Sequence, residues 1–238
     1  MIILACETST LLGSVALLED NKILAYADSL RQGSHSDVLN IFIENVLAKS
    51  GKKLSDVGLF ASGIGPGSFT GIRISLNAIK TLAYCFDRSV VGINSLKTLA
   101  AQAAYSPAFS EFKNLPVTAM INAYKNMVYI ATYRFQNGIL TEVKAPEVVR
   151  VQNLDSYFSE KAIVCGDGYL TYEKYFSAAV RQNSVRIEEV TDEPHAKTTG
   201  LLAFQNLELQ HPWNQLVPLY LRSSEAEENL QGIKYQPL

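Results

Sequence analysis

The residues whose types and spacing suit chemistry are Glu7, Ser9, the run Gly63-Ile64-Gly65-Pro66-Gly67-Ser68-Phe69-Thr70-Gly71-Ile72-Arg73, and Asp167 within Gly166-Asp167-Gly168. The glycines allow a tight turn and close approach of another group. Ser68 is placed as a helix N-cap, its hydroxyl accepting an N–H of the first turn. Free N–H groups and the helix dipole at such a turn favour an anion. Arg73, in the first turn, opposes that dipole by about 0.3–1 kcal/mol unless an acid or bound anion offsets it. One reading is therefore an anion or nucleotide site using Glu7, Ser9, Gly65, Gly67, Ser68 and Asp167. The other is a turn whose glycines serve close packing of helix on sheet, with Arg73 paired to a neighbouring carboxylate. The run is neither a P-loop, which ends in Gly-Lys-Ser/Thr, nor the GxGxxG dinucleotide fingerprint.

The two carboxylates admit the same pair of readings. A hard cation carrying nucleotide phosphates is commonly held by one or two carboxylates and water. More simply, Asp167 between glycines forms a turn, and Glu7 accepts from loop N–H groups. Histidines stand only at 35, 195 and 211, no two spaced i,i+4, with no HExxH and no Cys/His cluster. No metal site is expected from this chain alone. His35 precedes a helix start, where a surface or capping role is the default. Gly67-Ser68-Phe69-Thr70-Gly71 has the wrong spacing for a nucleophile elbow, which argues against serine hydrolysis. No catalytic residue is assigned.

These residues need elements to hold them. Strands are expected at 2–7, 13–19 and 22–30, the last two joined by a turn at Asp20-Asn21. A helix follows, capped by Ser34 or Ser36 and running to Lys49. Val38, Leu39, Ile41, Phe42, Ile43, Val46 and Leu47 give it a face wider than the roughly 100° that covers one sheet, which suggests a sheet on one side and a partner on the other. A strand at 57–61 leads into the glycine run. Phe69, Ile72, Leu76, Ile79, Ala83 and Phe86 then mark one face of a helix. A strand at 89–93 and a helix over 95–104 complete an order β-β-β-α-β-α-β-α, which is α/β with a mixed sheet.

The stretch 105–114, with Pro107, is the best lobe boundary. Beyond it strands are expected at 117–123, 126–136 and 139–144, the last broken by Pro146. A short helix at 153–161, a strand at 162–165, a helix to about Ala179 and a helix at 197–210 follow, and 217–222 is extended. The domains are thus 1–104, 105–222 and a polar tail, 223–238. No internal repeat of fixed period is visible.

Composition bounds the rest. Apolar residues make up 47% and charged residues 18%, with net charge −2, so no footprint for autonomous tight nucleic-acid binding is present. Cys6, Cys85 and Cys165 are far apart within apolar runs and read as buried thiols of a reducing compartment. The apolar run after Met1 is too short for a leader, and none reaches the roughly 20 residues of a membrane span. A cytoplasmic protein without membrane contact is expected.

Leu4-Ala5-Cys6-Glu7-Thr8-Ser9, Gly65-Pro66-Gly67-Ser68-Phe69-Thr70-Gly71-Ile72-Arg73, Ile121-Asn122-Ala123-Tyr124 and Pro218-Leu219-Tyr220-Leu221-Arg222 together resemble the TsaB (YeaZ) family, in the same order along the chain. The resemblance implies an actin-like ATPase (ASKHA) fold of two ribonuclease-H-like lobes. It implies a non-catalytic subunit of the machinery that makes threonylcarbamoyladenosine at position 37 of tRNAs reading ANN codons. It also implies pairing with the catalytic paralogue TsaD, or with itself when alone, and association with the small ATPase TsaE and with tRNA through the complex. The helices at 35–49 and 68–86 would form the interface, through His35, Leu39, Phe42, Ile43, Val46, Arg73, Asn77 and Lys80. Glu7 stands where the family usually has Asp, and Asn122-Ala123-Tyr124 where it has Asp-Ala-Arg. These departures point to weak or absent ATP binding and no required cofactor. The competing hypothesis is an independent actin-fold ATPase or phosphotransferase using Glu7, the Gly65–Gly67 loop and Asp167.

Overall fold

The computed structural model describes residues 1–30, 35–223 and 230. The chain divides into two units: Met1–Thr98 with Glu193–Leu219, and Leu99–Asp192 with Tyr220–Leu238.

In the first unit, β1 (Ile2–Glu7), β2 (Gly13–Glu19) and β3 (Lys22–Ser29) form an antiparallel meander; β4 (Val57–Gly63) and β5 (Ser89–Ile93) add in parallel on the other side of β1. The sheet order is β3-β2-β1-β4-β5. Both faces of β1 and β2 are covered, which is why those strands read as continuous apolar runs. Leu4, Cys6, Val15 and Leu17 point into a core shared with α1 (His35–Ser50) and α2 (Phe69–Phe86). The opposite face carries Ala5 and Leu18, against which Gly200 of α6 (Ala196–Gln205) packs so closely that a Cβ would strike Leu18 Cδ1. Leu39, Ile43, Val46, Ile72, Leu76 and Ile79 are all buried beneath α1 and α2, each contributing about 1.5–3 kcal/mol through burial.

In the second unit, β6 (Val117–Asn122), β7 (Met127–Gln136) and β8 (Ile139–Arg150) form a second meander, with β9 (Ala162–Cys165) and β10 (Ser184–Val185) parallel on the far side of β6. The order β10-β9-β6-β7-β8 repeats the first topology strand for strand. Its core gathers Met120, Val128, Ile130 and Val164 with Tyr169 and Tyr172 of α4 (Asp167–Tyr172), Phe176, and Val180 of α5 (Ala178–Asn183). The duplication is topological: the connections differ in length, so no sequence period accompanies it.

Four expectations are corrected. Residues 193–219, expected in the second lobe, belong to the first unit, because α6 is the cover of its sheet; the division falls within α3 (Ser95–Ala104), not at Pro107. Strand β8 does not stop at Pro146. Lys144 pairs with Thr132 and Glu147 with Ile130, so Ala145 and Pro146 bulge opposite Ala131 on an edge strand, where the missing N–H costs no ladder bond. The helices expected at 153–161 and to Ala179 are a 3-10 segment, Val151–Tyr157, and the short pair α4 and α5. Cys85 is exposed on α2, while Cys6 and Cys165 are buried. Among the described residues no helix is long and apolar enough to cross a membrane.

Candidate functional site

Strand β1 delivers Glu7 to the carboxyl end of the first sheet, fully buried. The Ser9 N–H donates to its Oε1 at 3.0 Å, and the Ser95 hydroxyl lies 3.2 and 3.4 Å from its two oxygens. Thr199 Oγ1, on α6, reaches Oε2 at 3.5 Å. Gly63 closes the remaining side, since a Cβ there would overlap the carboxylate. Hydroxyls and the backbone N–H groups of Thr8 and Ser9 thus hold the carboxyl group. Burial pushes its pKa up to about 6, the hydrogen bonds from Ser9 and Ser95 pulling it back only in part. Neither Ser95 nor Thr199 was singled out by sequence reasoning. Ser95 marked only a helix start, and Thr199 lies nearly two hundred residues from Glu7 on a helix read only for its apolar spacing.

The glycine run is laced to the turn that follows Glu7. Ser68 N–H donates to the Ser9 carbonyl at 2.7 Å, and the Thr8 hydroxyl to the Gly71 carbonyl at 2.7 Å. A Cβ on Gly67 would overlap the Ser9 carbonyl, and one on Gly71 the Thr8 carbonyl. Gly65, at φ 96°, receives the Ser95 N–H on its carbonyl at 2.8 Å. Ser68 caps α2 as expected, accepting from Gly71 N–H at 3.2 Å. Close approach of the chain's own backbone accounts for these glycines.

The expected interface residues separate. Leu39, Ile43 and Val46 are taken up by the unit's own core, so they present nothing outward. Phe42 is half-buried against that core. Ile41, left out of the expected set, is 52% exposed. Arg73 and Asn77 are exposed on successive turns of α2. Lys80 is engaged elsewhere, its Nζ donating to the Leu216 carbonyl at 3.1 Å. His35 begins α1, but its side chain lies outside the described residues, as does Ser34.

In the second unit, Asp167 opens α4 and accepts the Asn122 N–H at 3.0 Å, joining the carboxyl ends of β6 and β9. Asn122 Oδ1 accepts from Tyr124 N–H at 2.8 Å and from the Tyr172 hydroxyl at 3.2 Å. Gly166, at φ 111°, sits where a Cβ would overlap the Met120 carbonyl. Its N–H donates to Asp192 at 2.7 Å, and Asp192 is gripped by Arg186 at 2.8 and 2.5 Å. That clasp on the glycine turn is another arrangement with no local sequence signature. His195 stands apart, edge-on to Tyr26 at the start of α6, its pKa pushed down to about 4 by burial and by Lys197.

The family model described as TsaD, tRNA N6-adenosine threonylcarbamoyltransferase, matches residues 29–230. The Escherichia coli (strain K12) protein described as tRNA threonylcarbamoyladenosine biosynthesis protein TsaB is 30% identical, over 98% of this chain and 99% of its own length. The Bacillus subtilis (strain 168) protein of the same description is 28% identical over 95% and 96%. Among solved structures, YeaZ from Pseudomonas aeruginosa superposes with a TM-score of 0.77 at 27% identity, covering 92% of this chain and 99% of that one.

Proposed function

Because the chain belongs to the TsaB (YeaZ) family, whose relatives are named as tRNA threonylcarbamoyladenosine biosynthesis proteins, we propose that it is a non-catalytic subunit of that pathway. In this reading it acts by pairing with a TsaD-like catalytic paralogue, and the modification falls on adenosine 37 of tRNAs reading ANN codons. It joins the ATPase TsaE and tRNA through the complex, works in the cytoplasm, pairs with itself when alone, needs no cofactor and binds ATP weakly or not at all.

The observation that carries this reading is the closed state of the first unit's strand ends. Glu7 is enclosed by Ser9, Ser95, Thr199 and Gly63, and the loop that would cradle a phosphate is packed on the Thr8–Ser9 backbone. A phosphotransferase would need that carboxylate and those N–H groups turned toward substrate. The accessible parts of α1 and α2 supply the complementary feature: Ile41 is exposed and Phe42 half-buried on α1, Arg73 and Asn77 are exposed on α2, and a partner helix would cover such apolar and polar groups.

The test is replacement of the chain in its own cells by variants, with threonylcarbamoyladenosine in total tRNA measured by nucleoside mass spectrometry. Ile41→Asp and Phe42→Asp should cut the modification at least tenfold and remove the paralogue from affinity eluates, since an unpaired charge in an interface costs several kcal/mol. Glu7→Gln should leave both near wild type. Collapse of modification in Glu7→Gln with the complex intact would overturn the proposal in favour of an independent ATPase.

A further inference from the structure

Tyr124, Lys125 and Asn126 join β6 to β7 with φ of 57°, 50° and 63°: three consecutive left-handed residues, none of them glycine. That region is strained for any residue with a Cβ, Asn least. Other tight turns among the described residues use residues that tolerate it, Asp20 before Asn21, and Asn137-Gly138 at 52° and 80°. Here a tyrosine and a lysine are kept instead, and hydrogen bonds from several segments hold the strained path. Asn122 Oδ1 accepts the Tyr124 N–H, the Tyr124 carbonyl accepts Met127 N–H at 3.0 Å, the Asn126 carbonyl accepts Val151 N–H at 3.0 Å, and Arg222 donates to the Ala123 carbonyl. Strain retained and braced in this way is characteristic of sites whose side chains have work outside the fold.

What the turn presents is the Tyr124 side chain, 63% exposed. Lys125 follows it in sequence, Arg150 is the strand partner of Met127, and Arg222 is bonded to the turn, so three cationic residues are joined to this one loop. The turn stands at the carboxyl end of β6, the strand whose neighbours change from antiparallel β7 to parallel β9. Open α/β sheets place their ligands at that point. An outward aromatic ring on a rigid mount, with cations around it, is how proteins hold an unpaired base and its phosphates.

We propose that the β6–β7 turn is a docking point for an unpaired nucleotide of an RNA strand, its base stacked on Tyr124 and its flanking phosphates met by Lys125, Arg150 and Arg222. The inference rests on the proposed function for its RNA, and names where this chain would touch it.

The experiment titrates the purified full chain into a fluorescein-labelled single-stranded RNA with the anticodon-loop sequence of an ANN-reading tRNA, read by anisotropy at low salt. Tyr124→Phe should bind like wild type. Tyr124→Leu keeps the backbone and bulk without the π-face and should bind about tenfold more weakly, with an unchanged circular dichroism melt. Lys125→Ala should flatten the salt dependence, and the same sequence in a duplex should bind more weakly. Wild-type affinity in Tyr124→Leu, equal loss in Tyr124→Phe, or no saturable binding would overturn the proposal. So would displacement of the RNA by free ATP through the same Tyr124-dependent site, or loss of a co-purifying protein in Tyr124→Leu with RNA binding intact. The functional reading fails separately. Modification lost from cells lacking the chain, with RNA binding indifferent to Tyr124, sinks this inference alone. Modification unchanged in those cells, with Tyr124-dependent binding, sinks the functional reading and supports the docking point.

Discussion

Glu7 is a carboxylate held in the interior by hydroxyls and the backbone N–H groups of Thr8 and Ser9, and its burial makes stability depend on pH in a direction opposite to most acids. Its folded pKa of about 6 lies above the ordinary 4.5, so between those values the native state binds more protons than the unfolded chain. Stability therefore falls by about 2 kcal/mol as pH rises through that window, and stays lower above it. His195 runs the other way. Burial lowers its pKa from 6.5 to about 4, the unfolded chain binds more protons between those values, and stability rises with pH across them. The two trends overlap and largely offset each other in the wild type. In Glu7→Gln the amide oxygen still faces Ser9 N–H, and the Ser95 and Thr199 hydroxyls can rotate to serve the amide nitrogen. Urea denaturation should show this variant gaining about 2 kcal/mol on wild type between pH 4.5 and pH 7, with the histidine's rise left uncovered. A gap that stays constant with pH would contradict the assignment. Glu7 and Ser68 were legible because strand ends and N-caps carry local signals. Ser95, Thr199, Arg186 and Asp192 were not, because each meets its partner only through the fold.

At the level of elements, α2 shows where propensity loses to packing. Gly71 lies in its first turn, and glycine inside a helix costs about 0.5–1 kcal/mol relative to alanine. By propensity alone Gly71→Ala should stabilise. The Cβ would instead enter the Thr8 carbonyl, a backbone atom fixed by the β1–β2 turn, and would displace the Thr8 hydroxyl from the Gly71 carbonyl. Overpacking of this kind costs about 1–3 kcal/mol, so the expected net change is a loss of about 1–2 kcal/mol by urea denaturation; a gain would mean that the turn yields. The helix itself, with its cap and its apolar spacing, could be read from the sequence almost to the residue. The apolar face of α1 is wide in the sequence, yet periodicity could not say which of its residues the sheet would claim. Leu39, Ile43 and Val46 went inward, and Ile41 stayed out. Pro146 misled for a related reason: it ends a central strand but is accommodated on an edge strand with a bulge, and edge position is a property of the sheet.

For the whole molecule, the informative departure is α6. Sequence order placed 193–219 in the second lobe, but the first unit claims it, with Gly200 against Leu18 and Ala5, Ala196 N–H on Ser14 Oγ at 2.9 Å, Leu219 N–H on the Ile64 carbonyl at 2.8 Å, and a bridge between His211 and Val90. Neither lobe is therefore a continuous piece of chain. A chain ending at Asp192 keeps β1–β5, α1 and α2, yet leaves one face of that sheet bare. It should lose the protease resistance of the first unit and aggregate, whereas a chain ending at Arg222 should unfold like wild type; a protease-resistant first unit in the shorter chain would contradict the account. The repeated strand order of the two sheets also escaped the sequence, since topology can be kept while spacing and composition drift. The return of α6 has a consequence during synthesis. The strands of the first unit emerge from the ribosome early, but their cover is encoded only after Leu99–Asp192, the larger part of the second unit. At about 5–20 residues per second, the Ala5–Leu18 face waits on the order of ten seconds for it. In that interval the nascent chain offers chaperones an apolar sheet face, and a ribosome stalled before α6 would leave it exposed.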